Sequence, residues 1–220
     1  MTQVKQKKTM KRIMLPKGEA KWFKLIKPDT KFNKYQVDIV VEDSEAIRQI
    51  INQAEEMVEE TLKAERTKLI AEGKKAQAND LEKAKASKLP IKKEYTKEGE
   101  ETGRFVIRVS KDSIHKKTQT VIPPITVLNP AAKQYSSAQL QTLRVNNGSI
   151  VKLQVLLSTY VLPAGTVGYK LQPDAAQIVE FATSSFDSDL SGFGVEGEDD
   201  TVDMEQEFSD ESDSKSNDDF

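Results

Sequence analysis

The spacing of apolar residues changes period along the chain, and each period predicts a different element. Near the start, YQVDIVV alternates between apolar and polar side chains, which predicts a β-strand with one buried face. After Asp43, a suitable helix N-cap, apolar residues recur at every third or fourth position, which predicts a long helix. The helix is expected to stop at Gly73, and a weaker helical pattern runs from about 75 to 87. The apolar positions of the long helix are Ile47, Ile50, Ile51, Ala54, Met57, Val58 and Leu62.

The chain returns to a strand pattern from Arg104 onward. RFVIRVS alternates cleanly, whereas TVIPPITVL is interrupted by Pro123-Pro124 and predicts an edge strand or a break. Asn147-Gly148 is a strong turn signal, and two or three further strands follow it. Because a strand and a helix are followed by several strands without a βαβ rhythm, we predict a small β-barrel with the helix packed across it.

Charge divides the chain into regions of opposite sign. Residues 1–182 contain 32 Lys and Arg and 21 Asp and Glu, for a net charge of +11. Residues 183–220 contain one base and 14 acids, for a net charge of −13. A basic body is typical of proteins that meet a polyanion, and the tail has too few apolar residues to fold. We therefore predict a flexible basic arm over 1–14, a folded domain over 15–182 with a helical insertion at about 43–88, and a disordered acidic interaction tail over 183–220.

The sequence offers little support for catalytic or metal chemistry. The chain has no cysteine, and its one histidine, His115, lies in a lysine-rich loop without the partners of a metal site or a catalytic triad. It has no glycine-rich phosphate loop and no apolar run long enough to cross a membrane, and MTQVKQKKTMKR lacks the apolar core of a signal peptide. We expect a protein of a reducing cytoplasm that is not an enzyme and uses no cofactor or metal.

Basic and aromatic residues interleave in KWFKLIKPDTKFNKY, and this pattern favours nucleic-acid binding. A protein that binds single strands without sequence preference needs cations for the phosphates and aromatic faces for the bases. Core packing is the alternative role for each aromatic residue. We prefer it for Phe23, Phe105 and Phe181, leave both roles open for Trp22, and expect Tyr160, beside a turn, at a rim. The DNA-binding candidates are Trp22, Lys24, Lys27, Lys31, Lys34, Arg104, Arg108, Lys111, Lys116, Lys117, Lys152, Tyr160 and Lys170.

The acidic tail closes on Asp218, Asp219 and Phe220. A tail that only keeps a protein in solution needs charge but has no need of a terminal ring. A cationic groove with a pocket for an aromatic ring would bind this ending much as it binds a nucleotide. We therefore interpret the tail as a DNA mimic with a partner-binding tip.

Three stretches resemble the replicative single-stranded DNA-binding proteins of short-tailed lytic phages. KPDTKFNKYQVDIVV is similar to the family's lysine-proline-aspartate turn and the strand that follows it. VKLQVLLSTYVLPAGTVGYKLQPDAAQIVEFA is similar to its paired C-terminal strands with a tyrosine before the turn, and the ending DDF is similar to its acidic tail. Two features depart from the family: Ser110 stands where an aromatic residue would be expected, and the loop from Asn129 to Gly148 has no close counterpart.

The resemblance implies a five-stranded OB-fold barrel with a long packed helix, no sequence readout and no enzymatic activity. It also implies that Lys34, Arg108, Lys152 and Tyr160 contact DNA. The tail of such a protein would contact the phage DNA polymerase and helicase-primase, and would cover the DNA groove when DNA is absent.

The sequence therefore predicts a single-stranded DNA-binding protein that coats and protects strands in phage DNA replication, recombination and repair. We expect it in the cytoplasm of the infected bacterial host, with a homodimer as one assembly that the sequence allows. Two alternatives stay open. One is an RNA-binding OB-fold chaperone, since the sequence does not reveal whether a 2′-OH is tolerated. The other is an inhibitor that acts through the DNA-mimicking tail.

Overall fold

The computed structural model describes residues 10–183, which contain nine β-strands and three α-helices. Residues 1–9 of the expected arm and 184–220 of the expected tail, with Asp218, Asp219 and Phe220, lie outside the described residues. The strands are β1 (Met10–Met14), β2 (Gly18–Asp29), β3 (Lys34–Glu42), β4 (Glu82–Lys83), β5 (Ile91–Tyr95), β6 (Glu101–Asp112), β7 (Thr126–Leu128), β8 (Ile150–Val161) and β9 (Thr166–Glu180). The helices are α1 (Glu45–Ala71), α2 (Lys75–Asn79) and α3 (Ser137–Thr142).

Five of the strands form a barrel. β3 pairs antiparallel with β2 on one side and with β6 on the other. β8 pairs antiparallel with β9, and the start of β2 pairs with the start of β8. β6 lies beside β9 without ladder hydrogen bonds, so the barrel is partly open there, as in an OB-fold. At the closure Gly18 pairs with Val151 and lies so close to Val40 that a methyl group would overlap the Val40 carbonyl. Glycine is therefore required at this position, where β2 pairs with β8 and also lies against β3.

The other four strands extend the barrel at its edges. β1 adds antiparallel to β8, and β5 adds antiparallel to β6. The short strands β4 and β7 each pair in parallel with β9. The prediction of a mainly β protein with one long helix is confirmed, and the barrel has the five strands that the resemblance implied.

The core lies inside the barrel and beneath α1. Strand alternation directs one face of each barrel strand inward, where aliphatic side chains are almost completely buried. Each such side chain contributes roughly 1.5–3 kcal/mol through burial. The barrel core includes Leu25, Val37, Ile39, Ile107, Val109, Leu153, Leu157, Leu171 and Ile178.

The predicted apolar stripe of α1 is its buried face. Ile47, Ile50, Ala54, Val58 and Leu62 are all buried, and Leu69 extends the stripe by two more turns. The hydroxyl groups of Thr61 and Thr159, 2.9 Å apart, link the helix to β8. Within residues 10–183 no helix is long and apolar enough to cross a membrane.

Both ends of α1 differ slightly from the prediction. The N-cap is Ser44 rather than Asp43, whose carboxylate instead accepts two hydrogen bonds of 2.8 Å from Arg48. The helix ends at Ala71, two residues before Gly73, which has a φ of +78°. Glycine adopts this left-handed conformation without strain, so it suits the turn that follows the helix.

Two local predictions were wrong because strand pairing prevails over local propensity. The second helix, expected from about 75 to 87, is only α2, and the chain then joins the sheet as β4, where Glu82 pairs with Thr166. Residues 10–14, expected in the flexible arm, form β1 and pair with residues 154–158 of β8. The partners of these two strands, β8 and β9, are distant in the chain. A local sequence pattern therefore does not predict either pairing.

We expect Val109→Ala to lower the free energy of unfolding by about 2–3 kcal/mol, because it removes two methyl groups from a fully buried site and leaves a cavity. The matched control is Val121→Ala, since Val121 is 77% exposed. Denaturant unfolding of the two variants measures the difference. Similar losses in both would contradict the placement of Val109 in the barrel core.

Candidate nucleic-acid interface

Three adjoining cavities run across the outer face of β3 and β6, and we call them together the groove. Their volumes are about 380, 340 and 330 Å³. The first and second share Asp38, Arg108 and Ser110, and the second and third share Phe32 and Lys34. The groove is therefore continuous from the end of β8, through the middle of β3 and β6, to the turn between β2 and β3.

The floor of the groove follows from strand alternation. Val37 and Ile39 of β3 are buried inward, so Gln36 and Asp38 point outward. Ile107 and Val109 of β6 are buried in the same way, which turns Arg108 and Ser110 outward. The two strands pair so that Asp38 lies opposite Arg108 and Gln36 lies opposite Ser110.

Arg108 and Asp38 form a bidentate ion pair at the centre of the groove. Nε and Nη2 of Arg108 donate hydrogen bonds of 2.8 and 2.7 Å to the two carboxylate oxygens of Asp38. These bonds raise the pKa of the Arg108 guanidinium above its ordinary value. The Asp38 side chain is 14% exposed and that of Arg108 is 65% exposed. The pair therefore presents a planar cation with three remaining N–H donors to the groove.

Tyr160 lies at the end of the groove, packed on a glycine. It pairs across the strands with Gly168, and a methyl group at position 168 would lie 2.5 Å from the Tyr160 hydroxyl oxygen and 2.6 Å from the ring carbon that carries it. The ring therefore occupies the space that a side chain at 168 would take. Tyr160 lines the first cavity, in agreement with the rim position expected for it. The neighbouring Tyr169 also lines this cavity but is almost completely buried, and burial raises the pKa of its hydroxyl.

Trp22 is exposed, which excludes the core-packing role. Its side chain lines the second cavity and the residue is 66% exposed, so it does not belong to the core. Its backbone N–H donates a 2.8 Å hydrogen bond to Oδ1 of Asn147. Among the phenylalanines expected in the core, Phe23 and Phe105 pack partly buried against it, whereas Phe181 is exposed.

Phe32 is an aromatic residue of the groove that the sequence analysis did not select. It is 57% exposed, and Nζ of Lys31 lies 5.5 Å from its ring centroid, within the range of a cation–π contact. Asp29 fixes the turn by accepting hydrogen bonds from the backbone N–H groups of Lys31 and Phe32. The position of Phe32 among turn residues was the signal, since a ring in a short turn cannot reach the core.

The structure brings some of the predicted basic residues into the groove. Lys34, Arg108, Lys116 and Lys170 line it together with the predicted aromatic residues Trp22 and Tyr160. Lys88 and Lys92 also line it, although the sequence analysis did not select them. Lys117 is exposed in the turn after Lys116, and Lys31 is held over Phe32.

Several other predicted residues do not line the groove. Lys24 is exposed on β2 opposite Gln36, so it shares the outer face with the groove beside the second cavity. Nζ of Lys27 donates to the carbonyl of Gln141 in α3. Lys111 lies opposite the buried Tyr35 and, by alternation, on the face of β6 opposite to Arg108. Lys152 shares the outer face of β8 with Tyr160 but is eight residues away, roughly 27 Å along a strand.

Arg104 forms an ion pair with a partly buried acid, Glu94, beside the groove. Glu94 forms ion pairs of 2.7 Å with Arg104 and 3.1 Å with Lys21. Although burial favours its neutral form, hydrogen bonds from Lys21 and Thr102 hold the pKa of the Glu94 carboxyl below its usual value. The acid therefore stays ionised at neutral pH and neutralises part of the positive charge that the sequence analysis assigned to a DNA contact.

The described residues contain no group of three or more His, Cys, Asp and Glu side chains arranged to hold a metal ion. His115 lies in the loop after β6, where its Nδ1 is 2.9 Å from the Thr118 hydroxyl. The groove itself is lined by cations, hydrogen-bonding side chains and aromatic rings.

The fold is similar to those of phage proteins that bind single-stranded DNA. It matches gp2.5, a single-stranded DNA-binding protein encoded by bacteriophage T7, with a TM-score of 0.60 and 20% identity over 94% of this chain and 100% of that one. It also matches the single-stranded DNA-binding protein from bacteriophage Enc34, with a TM-score of 0.51 and 17% identity over 83% of this chain and 90% of that one. The same Enc34 protein in complex with ssDNA matches with a TM-score of 0.51 and 16% identity, over 79% and 89% of the two chains. No protein-family model and no curated protein sequence matches the chain, so the likeness is one of fold.

Proposed function

We propose that this chain is a phage-type single-stranded DNA-binding protein that coats and protects strands without reading their sequence. The observation that carries the proposal is the groove, in which Trp22, Phe32 and Tyr160 stand beside Arg108 and several lysines. Phosphates are bound by cations and unpaired bases stack on π-faces, and neither contact depends on base identity. The proteins of similar fold bind single-stranded DNA, and one of them is in complex with it.

The position of the groove on the fold supports the same proposal. OB-folds bind oligonucleotides on the face of their second and third strands, between the loop that joins strands 1 and 2 and the loop that joins strands 4 and 5. In this barrel those strands are β3 and β6, and the loops are residues 30–33 and 162–165. The groove occupies that face, with Phe32 at one loop and Tyr160 next to the other.

The wider biological role is proposed on the charge pattern and the resemblance. The protein would act in phage DNA replication, recombination and repair as a non-enzymatic factor in the cytoplasm of the infected bacterium. Its acidic tail would recruit the phage DNA polymerase and helicase-primase through Asp218, Asp219 and Phe220. A homodimer is a further proposal, which analytical ultracentrifugation tests. The net charge of +11 over residues 1–182 suits the strand, and the tail's charge of −13 suits a basic patch on a partner.

We expect oligo-dT to bind with an affinity that falls as salt rises, with a slope of about −0.7 in log K against log salt for each phosphate neutralised. A fluorescence anisotropy titration at several salt concentrations measures this slope. Duplex DNA of the same length and oligo-U are run as comparisons. Equal or tighter binding of oligo-U would favour the RNA chaperone, and absence of strand binding would favour the DNA-mimic inhibitor. Affinity that did not change with salt would contradict an electrostatic groove.

We expect Tyr160→Ala to weaken oligo-dT binding by about 1–3 kcal/mol, because a stacking face is lost. Tyr95→Ala is the matched control, since Tyr95 is an exposed tyrosine of β5 that does not line the groove. Gly168→Ala tests the position of the ring separately from its presence, because the added methyl group displaces Tyr160 from its packing site. If both Tyr160→Ala and Gly168→Ala bound oligo-dT with parental affinity, Tyr160 would not be part of the interface.

We expect Phe220→Ala to weaken binding to the cognate DNA polymerase while every side-chain charge of the tail is kept. A buried ring dominates contacts of this kind, whereas a diffuse acidic brush is insensitive to one ring. Phe208→Ala is the matched control, since it removes a second phenylalanine from the same acidic region. Surface binding at matched salt compares the variants, and a loss that is equal in both, or absent in both, would show that the terminal ring has no special role.

A further inference from the structure

β2 is irregular at Trp22. Lys21 pairs with Asp38 and Lys24 pairs with Gln36, so Trp22 and Phe23 together lie opposite Val37 alone. This arrangement is a β-bulge, in which one strand carries an extra residue. Trp22 has a φ of +57°, in the left-handed region that bulky side chains rarely adopt.

The bulge determines which way the indole points. Ala20 and Leu25 are both completely buried, although a regular strand places residues five apart on opposite faces. In a regular strand that continued from Ala20, Trp22 would point inward with it. The extra residue shifts the alternation by one position, so Trp22 lies on the groove side while Leu25 still reaches the core.

A loop distant in sequence holds this strained backbone. The Asn147 side chain accepts the Trp22 N–H at 2.8 Å. The next residue, Gly148, donates its own N–H to the Ala20 carbonyl at 3.0 Å, and the Ala20 N–H donates to the Ser149 carbonyl at 2.8 Å, so the turn is also fixed to β2 just before Trp22. Gly148 has a φ of +91°, which glycine permits without strain. Asn147 does not line the groove, and its side chain therefore acts on the groove only through Trp22.

We propose that Asn147 is a positioning residue that holds the Trp22 indole outward as a stacking face for an unpaired nucleobase. The inference rests on the proposed function, since it assigns one base subsite within the groove. The subsite is the second cavity, about 340 Å³ in volume, where Trp22 and Phe32 supply rings and Lys34 supplies a cation for the adjoining phosphate. The Arg108 guanidinium, oriented by Asp38, forms another wall of the same cavity.

The chain contains one tryptophan, so its intrinsic fluorescence reports on Trp22 alone. The full-length protein is titrated with dye-labelled oligo-dT, with dye anisotropy reporting binding and tryptophan emission reporting stacking. We expect strong quenching of the parent at saturation. Asn147→Ala should bind about 5-fold or more weakly, within the range of about 5- to 150-fold that the loss of one stacked base produces, and should quench less at saturation.

Two variants separate positioning from a general effect on the loop. Asn146→Ala removes the neighbouring amide and should behave like the parent. Asn147→Asp keeps an oxygen that can accept the Trp22 N–H, so its quenching at saturating DNA should be close to that of the parent. Thermal unfolding is recorded for each variant, and if Asn147→Ala does not fold, Asn147→Asp decides: parental quenching supports the proposal and lost quenching overturns it.

The outcomes distinguish this inference from the proposed function. A parent protein that does not change dye anisotropy has no strand-binding activity, and both proposals then fail. A parent that binds oligo-dT without any change in tryptophan emission overturns only the inference about Trp22. Parental affinity and quenching in a folded Asn147→Ala variant would show that Asn147 does not position the ring.

Discussion

The continuous register between β3 and β6 is the constraint on which both the core and the groove depend. Nine residue pairs, from Lys34 opposite Asp112 to Glu42 opposite Arg104, follow one another without a bulge. A slip of one residue would turn Val37 and Ile107 toward water and bring charged side chains into the barrel. Each displaced aliphatic side chain would lose roughly 1.5–3 kcal/mol of burial, and the buried charges would cost more. The same alternation that assembles the core therefore aligns Asp38 with Arg108 on the outer face.

β2 contributes to the groove in the opposite way, through a departure from regular geometry. Its two ends are held by pairing with β8 and β3, and the bulge between Lys21 and Lys24 lets one strand serve both the core and the outer face. The left-handed backbone at Trp22 is unfavourable in isolation, but surrounding hydrogen bonds from the 147–148 turn hold it in place. The groove thus combines a rigid floor on β3 and β6 with an aromatic residue supplied by an irregular strand.

The parts of the fold that could be predicted from sequence are those whose signal is local. YQVDIVV and RFVIRVS show their alternation directly, and the stripe from Ile47 to Leu62 shows the helical period, so these elements and their buried faces agree with the structure. Residues 10–14 and 82–83 became strands through pairing with β8 and β9, which no local pattern records. The exposure of Trp22 depends on a bulge held by a residue 125 positions away, and for that reason both of its roles stayed open. Lys111 was selected as a DNA-binding candidate, and its place on the face of β6 opposite to Arg108 follows only from the observed register.

The ion pair at the centre of the groove bears on how a protein of the proposed function would release its strand. Asp38 uses two of the five N–H donors of Arg108 and offsets its charge, so a phosphate that reaches this point meets a weaker attraction than an unpaired arginine would give. In return, the bidentate geometry holds the guanidinium plane in one orientation, which suits stacking on a base better than it suits a mobile phosphate contact. Glu94 moderates Arg104 and Lys21 in the same way. Strand binding would then depend on several moderate contacts rather than on one strong contact.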